Sequence, residues 1–258
     1  MGLISALRSA RRRRILERSP IDEGLWSRTL RELPLFSRLN PADAARLRDL
    51  ATIFLGEKTF HPVQGAVPDD RLKTAVAAQA CLPLLGLDMD WYSDWSTIIV
   101  TPRGYEVRNR DVDEAGVVHE YDEDFAGEVL HLGPVVLSIA DIRASGRCDG
   151  YNVVIHEMAH KIDGRDGPFD GCPPLHEDMD PTAWRRAFRA AYEDLLERIE
   201  GARNRRPAPI DEYAARSPDE FFAVVCEYFY EKPFLLRAEY PDVFEQLVLF
   251  FRRNPAGN

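Results

Sequence analysis

The segment His156-Glu157-Met158-Ala159-His160 carries the residue types and the spacing of a metal site. On a helix, positions four apart are offset by roughly 40° around the axis, so both imidazoles reach one ion. Glu157, at the next position, falls outside that ligand pair and beside the place a metal-bound water would take. Zinc lowers the pKa of such a water towards neutrality, and a neighbouring carboxylate accepts its proton. The spacing therefore predicts His156 and His160 as ligands of one Zn2+ per chain and Glu157 as general base. The chemistry is metal-assisted hydrolysis, with a peptide or protein as the expected substrate.

A hydrolytic zinc site takes three protein ligands and leaves a fourth position to water. No histidine follows His160 at short range, and His176 falls in a stretch rich in Gly, Pro and Asp. Asp163, three residues past His160, shares its helix face, although a carboxylate so placed more commonly holds a histidine by its other ring nitrogen. Glu220, Glu227 and Glu231 lie at i, i+7 and i+11 along one face of a downstream helix. Glu220 also completes Ser217-Pro218-Asp219-Glu220, a capping box in which the third helical glutamate bonds back to the cap. Spacing does not separate Glu220 from Glu227.

These groups need a rigid frame. Val153, Val154, Ile155, Met158, Ala159 and Ile162 make 151–163 apolar around most of its circumference, the mark of a buried helix, and Gly164 closes it. Histidines and a glutamate buried there need partners, and a metal supplies them. Upstream, Asn40-Pro41 caps a helix over 42–54, and 71–85 forms another. Short strands are expected at 96–101, 105–108, 116–120, 128–132 and 134–139, with an exposed acidic hairpin at 111–124. Pro134 restricts the last strand to a sheet edge or to starting there. Asp180-Pro181 caps a long helix with Trp184, Phe188, Ala191, Tyr192, Leu195, Leu196 and Ile199 on one face. A linker over 201–210 leads to helices at 218–231 and from Pro241 to about Arg252. Helices, then a small sheet, then helices make an α+β chain. Residues 1–20 read as a basic tail and 21–258 as one domain, with a helical part at 21–95 and a catalytic core at 96–258.

Composition excludes several classes. The 258 residues carry 33 Lys and Arg against 43 Asp and Glu, a net charge of −10, which argues against general nucleic-acid binding. No apolar run reaches the ~18 residues of a membrane span. Arg11 to Arg14 are consecutive, but no apolar stretch of signal-peptide type follows, and Ala6 breaks the myristoylation pattern. The basic start reads as a solvated tail, with a partner contact as the alternative. Cys81, Cys148, Cys172 and Cys226 form no paired motif and read as free thiols in a reducing cytosol.

Taken together, His156 to Gly164, Gly133-Pro134-Val135-Val136-Leu137-Ser138, Tyr213-Ala214-Ala215, Ser217 to Val224 and Glu227-Tyr228-Phe229 resemble the Mlc titration factor A family of bacterial peptidases. The likeness extends to 26–39 and the Asn40-Pro41 helix, and so covers most of the chain. It implies a zincin-like, gluzincin-type core similar to that of anthrax lethal factor, with a small mixed sheet packed on the HExxH helix. It implies Glu220 as third ligand, with Glu227 in support, and Tyr213 as donor to the oxyanion. By analogy with zincins, the strand at 134–139 would be the edge along which a peptide is laid. The family resemblance further implies a cytoplasmic, aminopeptidase-type enzyme that binds the Mlc repressor. The alternative is a non-catalytic regulatory protein that sequesters such a repressor.

If the HExxH segment is a metal site, purified protein carries one equivalent of zinc by elemental analysis; a metal-free chain that regains none on zinc addition would show the motif to be accidental.

Overall fold

The computed structural model describes residues 3–103, 133–201 and 207–257. Three helices come first: α1 (Leu3–Arg18), α2 (Glu23–Glu32) and α3 (Pro41–Glu57). The basic start is therefore a helix and not a free tail. Its arginines surround it almost completely, so no apolar stripe announces it. It is anchored by Arg12, which pairs with Glu57 at 3.1 Å and Asp90 at 2.6 Å. Ile15 packs onto Gly56 of α3, where a β-carbon would stand only 2.7 Å from the isoleucine.

The sheet has the order β1 (Thr59–Pro62), β2 (Thr97–Thr101), β3 (Val135–Ser138). Both pairings are parallel, with Phe60 opposite Ile98 and Ile99 opposite Val136. Parallel neighbours require a crossover, and α4 (Asp70–Cys81) lies between β1 and β2. A mixed sheet was expected; among the described residues every pairing is parallel. The expected strands at 105–108, 116–120 and 128–132, and the hairpin at 111–124, lie outside the described residues. β1 had no sequence signal, because only Phe60 of its four residues is even half-buried. The 134–139 strand ends one residue early. Ser138 caps the short helix α5 (Ile139–Ala144), its hydroxyl accepting from the Asp141 N–H at 3.0 Å.

Helix α6 (Val153–Asp163) packs against β3, α4 and α8 (Pro218–Glu231). Val154, Ile155, Met158 and Ile162 are fully buried, which is what an apolar circumference demands. Beyond it, α7 (Pro181–Glu200) stacks Trp184 on Phe188 with centroids 4.2 Å apart. Trp184 also meets Phe222 of α8 and Phe250 of α10 (Pro241–Phe251). The short helix α9 (Pro233–Glu239) fills the turn between α8 and α10 and was not foreseen, since Pro233 reads as following the end of one helix and Pro241 as beginning the next. No described helix is long and apolar enough to cross a membrane, and all four cysteines are free.

Gly171 is the junction of α6, α7 and α8. Its N–H donates to Asp163 Oδ2 at 2.9 Å, and its carbonyl accepts from Trp184 Nε1 at 3.1 Å. Its φ is +75°, and a β-carbon would lie 2.5 Å from the Pro218 carbonyl oxygen. Gly171→Ala combines a left-handed backbone with a clash against main chain and should cost about 2–3 kcal/mol. Urea unfolding tests this, and an unmoved midpoint would show that the junction relaxes freely.

Candidate metal centre

Asn152 caps α6, its side chain accepting from the Ile155 N–H at 3.0 Å, and one turn later the helix presents His156 and His160. Their Nε2 atoms lie 3.2 Å apart. Glu220 reaches them from the first turn of α8. Its Oε2 is 3.0 Å from His156 Nε2 and 3.5 Å from His160 Nε2. Ligands about 2.0–2.2 Å from a tetrahedral zinc stand about 3.3–3.5 Å from one another, so these separations suit a shared ion. Glu220 Oε2 is also buried with no hydrogen bond of its own. Two imidazole nitrogens and one carboxylate oxygen form a donor set suited to zinc.

The capping box does not form. Ser217 makes no side-chain cap bond, and the Glu220 side chain is turned to the histidines and to Tyr213. Glu227, two turns along the same face, takes a different place. Its Oε1 is 2.8 Å from His156 Nδ1, and its Oε2 accepts the Asn152 N–H. A carboxylate at Nδ1 selects the tautomer that leaves Nε2 free to bind a metal. The structure thus sets the two glutamates apart, one facing Nε2 and the other Nδ1. Asp163 lies apart from the converging atoms, fully buried, and burial pushes its carboxyl up to about 7 against the Gly171 N–H bond.

Behind His156 a buried polar chain continues that the sequence did not reveal. Asn152 Nδ2 donates to Glu231 Oε1 and to Gln79 Oε1 of α4, each at 2.8 Å. Glu231 also accepts the Cys148 N–H. The position of Asn152 just before the histidine helix and the four-residue step from Glu227 to Glu231 were signals for it. Gln79 had none, being one amide in an alanine-rich helix.

Tyr213 is carried by the short 3₁₀ turn Glu212–Ala215, started by Asp211, whose side chain accepts the Tyr213 N–H at 2.9 Å. Its hydroxyl donates to Glu220 Oε1 at 3.0 Å, and its ring meets His156 edge-on at 5.9 Å. Glu157 is half-buried, and its charge supports those on His156 and Lys161. Burial works against a charge on His156, but the Glu220 and Glu227 carboxylates outweigh it and push the imidazole up to about 10. Burial likewise opposes a charged Glu220, and the two histidines outweigh it, holding the carboxyl well below its usual range. The pocket is built for positive charge.

Residues 7–252 match the family described as glucose-regulated metallo-peptidase M90. The chain belongs to this family. Proteins named Mlc titration factor A are 32% identical to it over the aligned residues. The relative from Escherichia fergusonii aligns over 91% of this chain and 88% of its own length, that from Escherichia coli over 89% and 86%, and that from Salmonella arizonae over 90% and 92%. An M90 metallopeptidase requires a metal ion, and His156, His160 and Glu220 are the group whose ligand atoms gather within 4.8 Å among the described residues.

Replacing Glu227 by Gln weakens the hold on His156 Nδ1 and should lower metal affinity about 10–100-fold. In the wild type, metal must displace the His156 proton, so affinity should rise with pH up to about 10 and fall on acidification. Chelator competition over a pH series measures both effects.

Proposed function

We propose that this M90 chain is a cytosolic, zinc-dependent peptidase of aminopeptidase type, with His156, His160 and Glu220 holding the metal. The observation that carries this reading is the meeting of both Nε2 atoms with Glu220 Oε2, while the Tyr213 hydroxyl rests on the other oxygen of the same carboxylate. Zinc, when bound, supplies a Lewis acid for the scissile carbonyl and a water of lowered pKa. Glu157 takes the proton of the attacking water and returns it to the leaving amine. Tyr213, swinging from Glu220, donates to the oxyanion as a preorganised partner. β3 has the described β2 on one side and an exposed Val136, which suits it to receive an extended peptide along its other edge.

The aminopeptidase type comes from the family resemblance. Free thiols support a reducing compartment. Residues 21–258 read as one working unit, because Gln79 of the helical part joins the polar chain behind His156. The name Mlc titration factor A borne by the relatives favours a second role, the binding of an Mlc-type repressor, in which hydrolysis would be dispensable.

Glu157→Gln should keep one equivalent of zinc and lose about 10²-fold or more in kcat/KM on amino-acyl and peptide substrates. Tyr213→Phe should lose about 10²–10³ in kcat. Full activity of zinc-loaded Glu157→Gln rejects the mechanism. A repressor retained equally by wild type and Glu157→Gln in a pull-down shows that binding proceeds without catalysis.

A further inference from the structure

The rim of the metal centre carries a cation that the hydrolytic steps do not use. Arg216 follows the turn that holds Tyr213 and closes it, its N–H donating to the Tyr213 carbonyl at 3.1 Å. Its guanidinium lies over the Tyr213 ring, with Cζ 4.3 Å from the centroid. Glu212, Asp219 and Glu220 all stand within four residues of it in the chain. Arg12, Arg48, Arg198 and Arg253 each pair with a carboxylate. Arg216 pairs with none among the described residues, and its side chain is spent on the tyrosine alone.

That arrangement favours a ligand. Stacking on the aromatic face and a side-chain hydrogen bond to Tyr213 hold the planar guanidinium in one orientation, and its remaining N–H groups form a fork that matches a carboxylate. The entropy of ordering a long side chain is already spent before anything binds. Position adds to this. The Tyr213 ring lies against His156, so a peptide reaching the metal ligands passes close to the guanidinium. An extended chain advances ~3.4 Å per residue, which puts Arg216 within reach of side chains one to three residues from the scissile bond. The molecule as a whole is acidic, with a net charge of −10, so attraction for an acidic peptide has to be local and not a long-range field.

We propose that Arg216 is a specificity residue, binding a substrate carboxylate beside Tyr213 so that the site selects acidic peptides. The proposal rests on the peptidase reading. The carboxylate belongs to an Asp or Glu side chain or to the peptide's C-terminus, and the two sources separate in the test.

Zinc-loaded full-length protein is given peptides of one length in which each position in turn is Glu or Gln, with the C-terminus free or amidated. At one position Glu should exceed Gln by about tenfold in kcat/KM, mainly through KM. Arg216→Gln should bring that ratio close to one, and Arg216→Glu should turn the preference towards Lys. A preference for the free over the amidated terminus that Arg216→Gln abolishes identifies the terminus as the source. Calorimetry of the Glu and Gln peptides on zinc-loaded Glu157→Gln, which binds without turnover, should show the same discrimination in affinity. Equal hydrolysis of all acid and amide pairs leaves the peptidase reading standing and overturns the assignment of Arg216. So does a ratio that survives in Arg216→Gln, or a uniform fall in kcat with a displaced alkaline limb, which would mean that Arg216 acts through Tyr213. A wild type that neither cleaves nor binds any of the peptides removes the peptidase reading itself.

Discussion

The structure depends on one balance of charge at His156. The imidazole is held between two carboxylates of the same helix, Glu220 at Nε2 and Glu227 at Nδ1. Seven residues make almost two turns, so both glutamates lie on one face of α8, roughly 10 Å apart along its axis. A histidine inserted between them is addressed from both sides. Neither carboxylate is tolerable where it sits without a positive charge close by, because burial disfavours both ions. A cation bound by the two histidines and Glu220 meets that need directly.

Such a balance demands that α6 and α8 not slide. The α8 face that carries Glu220 and Glu227 looks at His156, while Phe222 and Phe229 pack the opposite face of that helix onto Trp184, Phe244 and Phe251. Apolar packing is weakly directional and would by itself allow small shifts. The polar chain from Glu227 through Asn152 to Glu231 and Gln79 supplies direction, because each of its hydrogen bonds fails if the helices translate. Gly171 has a similar role at the other end, where Asp163, Trp184 and the Pro218 carbonyl meet on one residue without a side chain.

Tyr213 and Arg216 belong to a less constrained layer. Tyr213 is 38% exposed, and its hydroxyl rests on Glu220 without being enclosed. That exposure leaves the hydroxyl room to turn away from the carboxylate, and the Arg216 guanidinium lies over the ring.

The chemistry of the centre was legible in the sequence because it is local: the four-residue step from His156 to His160 and the apolar residues around them need only helical periodicity. The helices at Pro41, Pro181, Pro218 and Pro241 were legible for the same reason, since capping and proline act within one turn. Helix α1 was hidden because arginines on nearly every side leave no period, and β1 because it is too short and exposed to alternate. Which glutamate meets Nε2 was beyond reach of spacing. Glu220 and Glu227 share a face, and which one meets Nε2 depends on how far α8 is shifted along α6. The sequence by itself determined that two histidines one turn apart and a glutamate beside them sit on a buried helix. Only the tertiary structure decided which carboxylate faces Nε2, which one faces Nδ1, and that Arg216 lies over the tyrosine without a carboxylate partner among the described residues, because each of those facts is a distance between segments that no local rule sets.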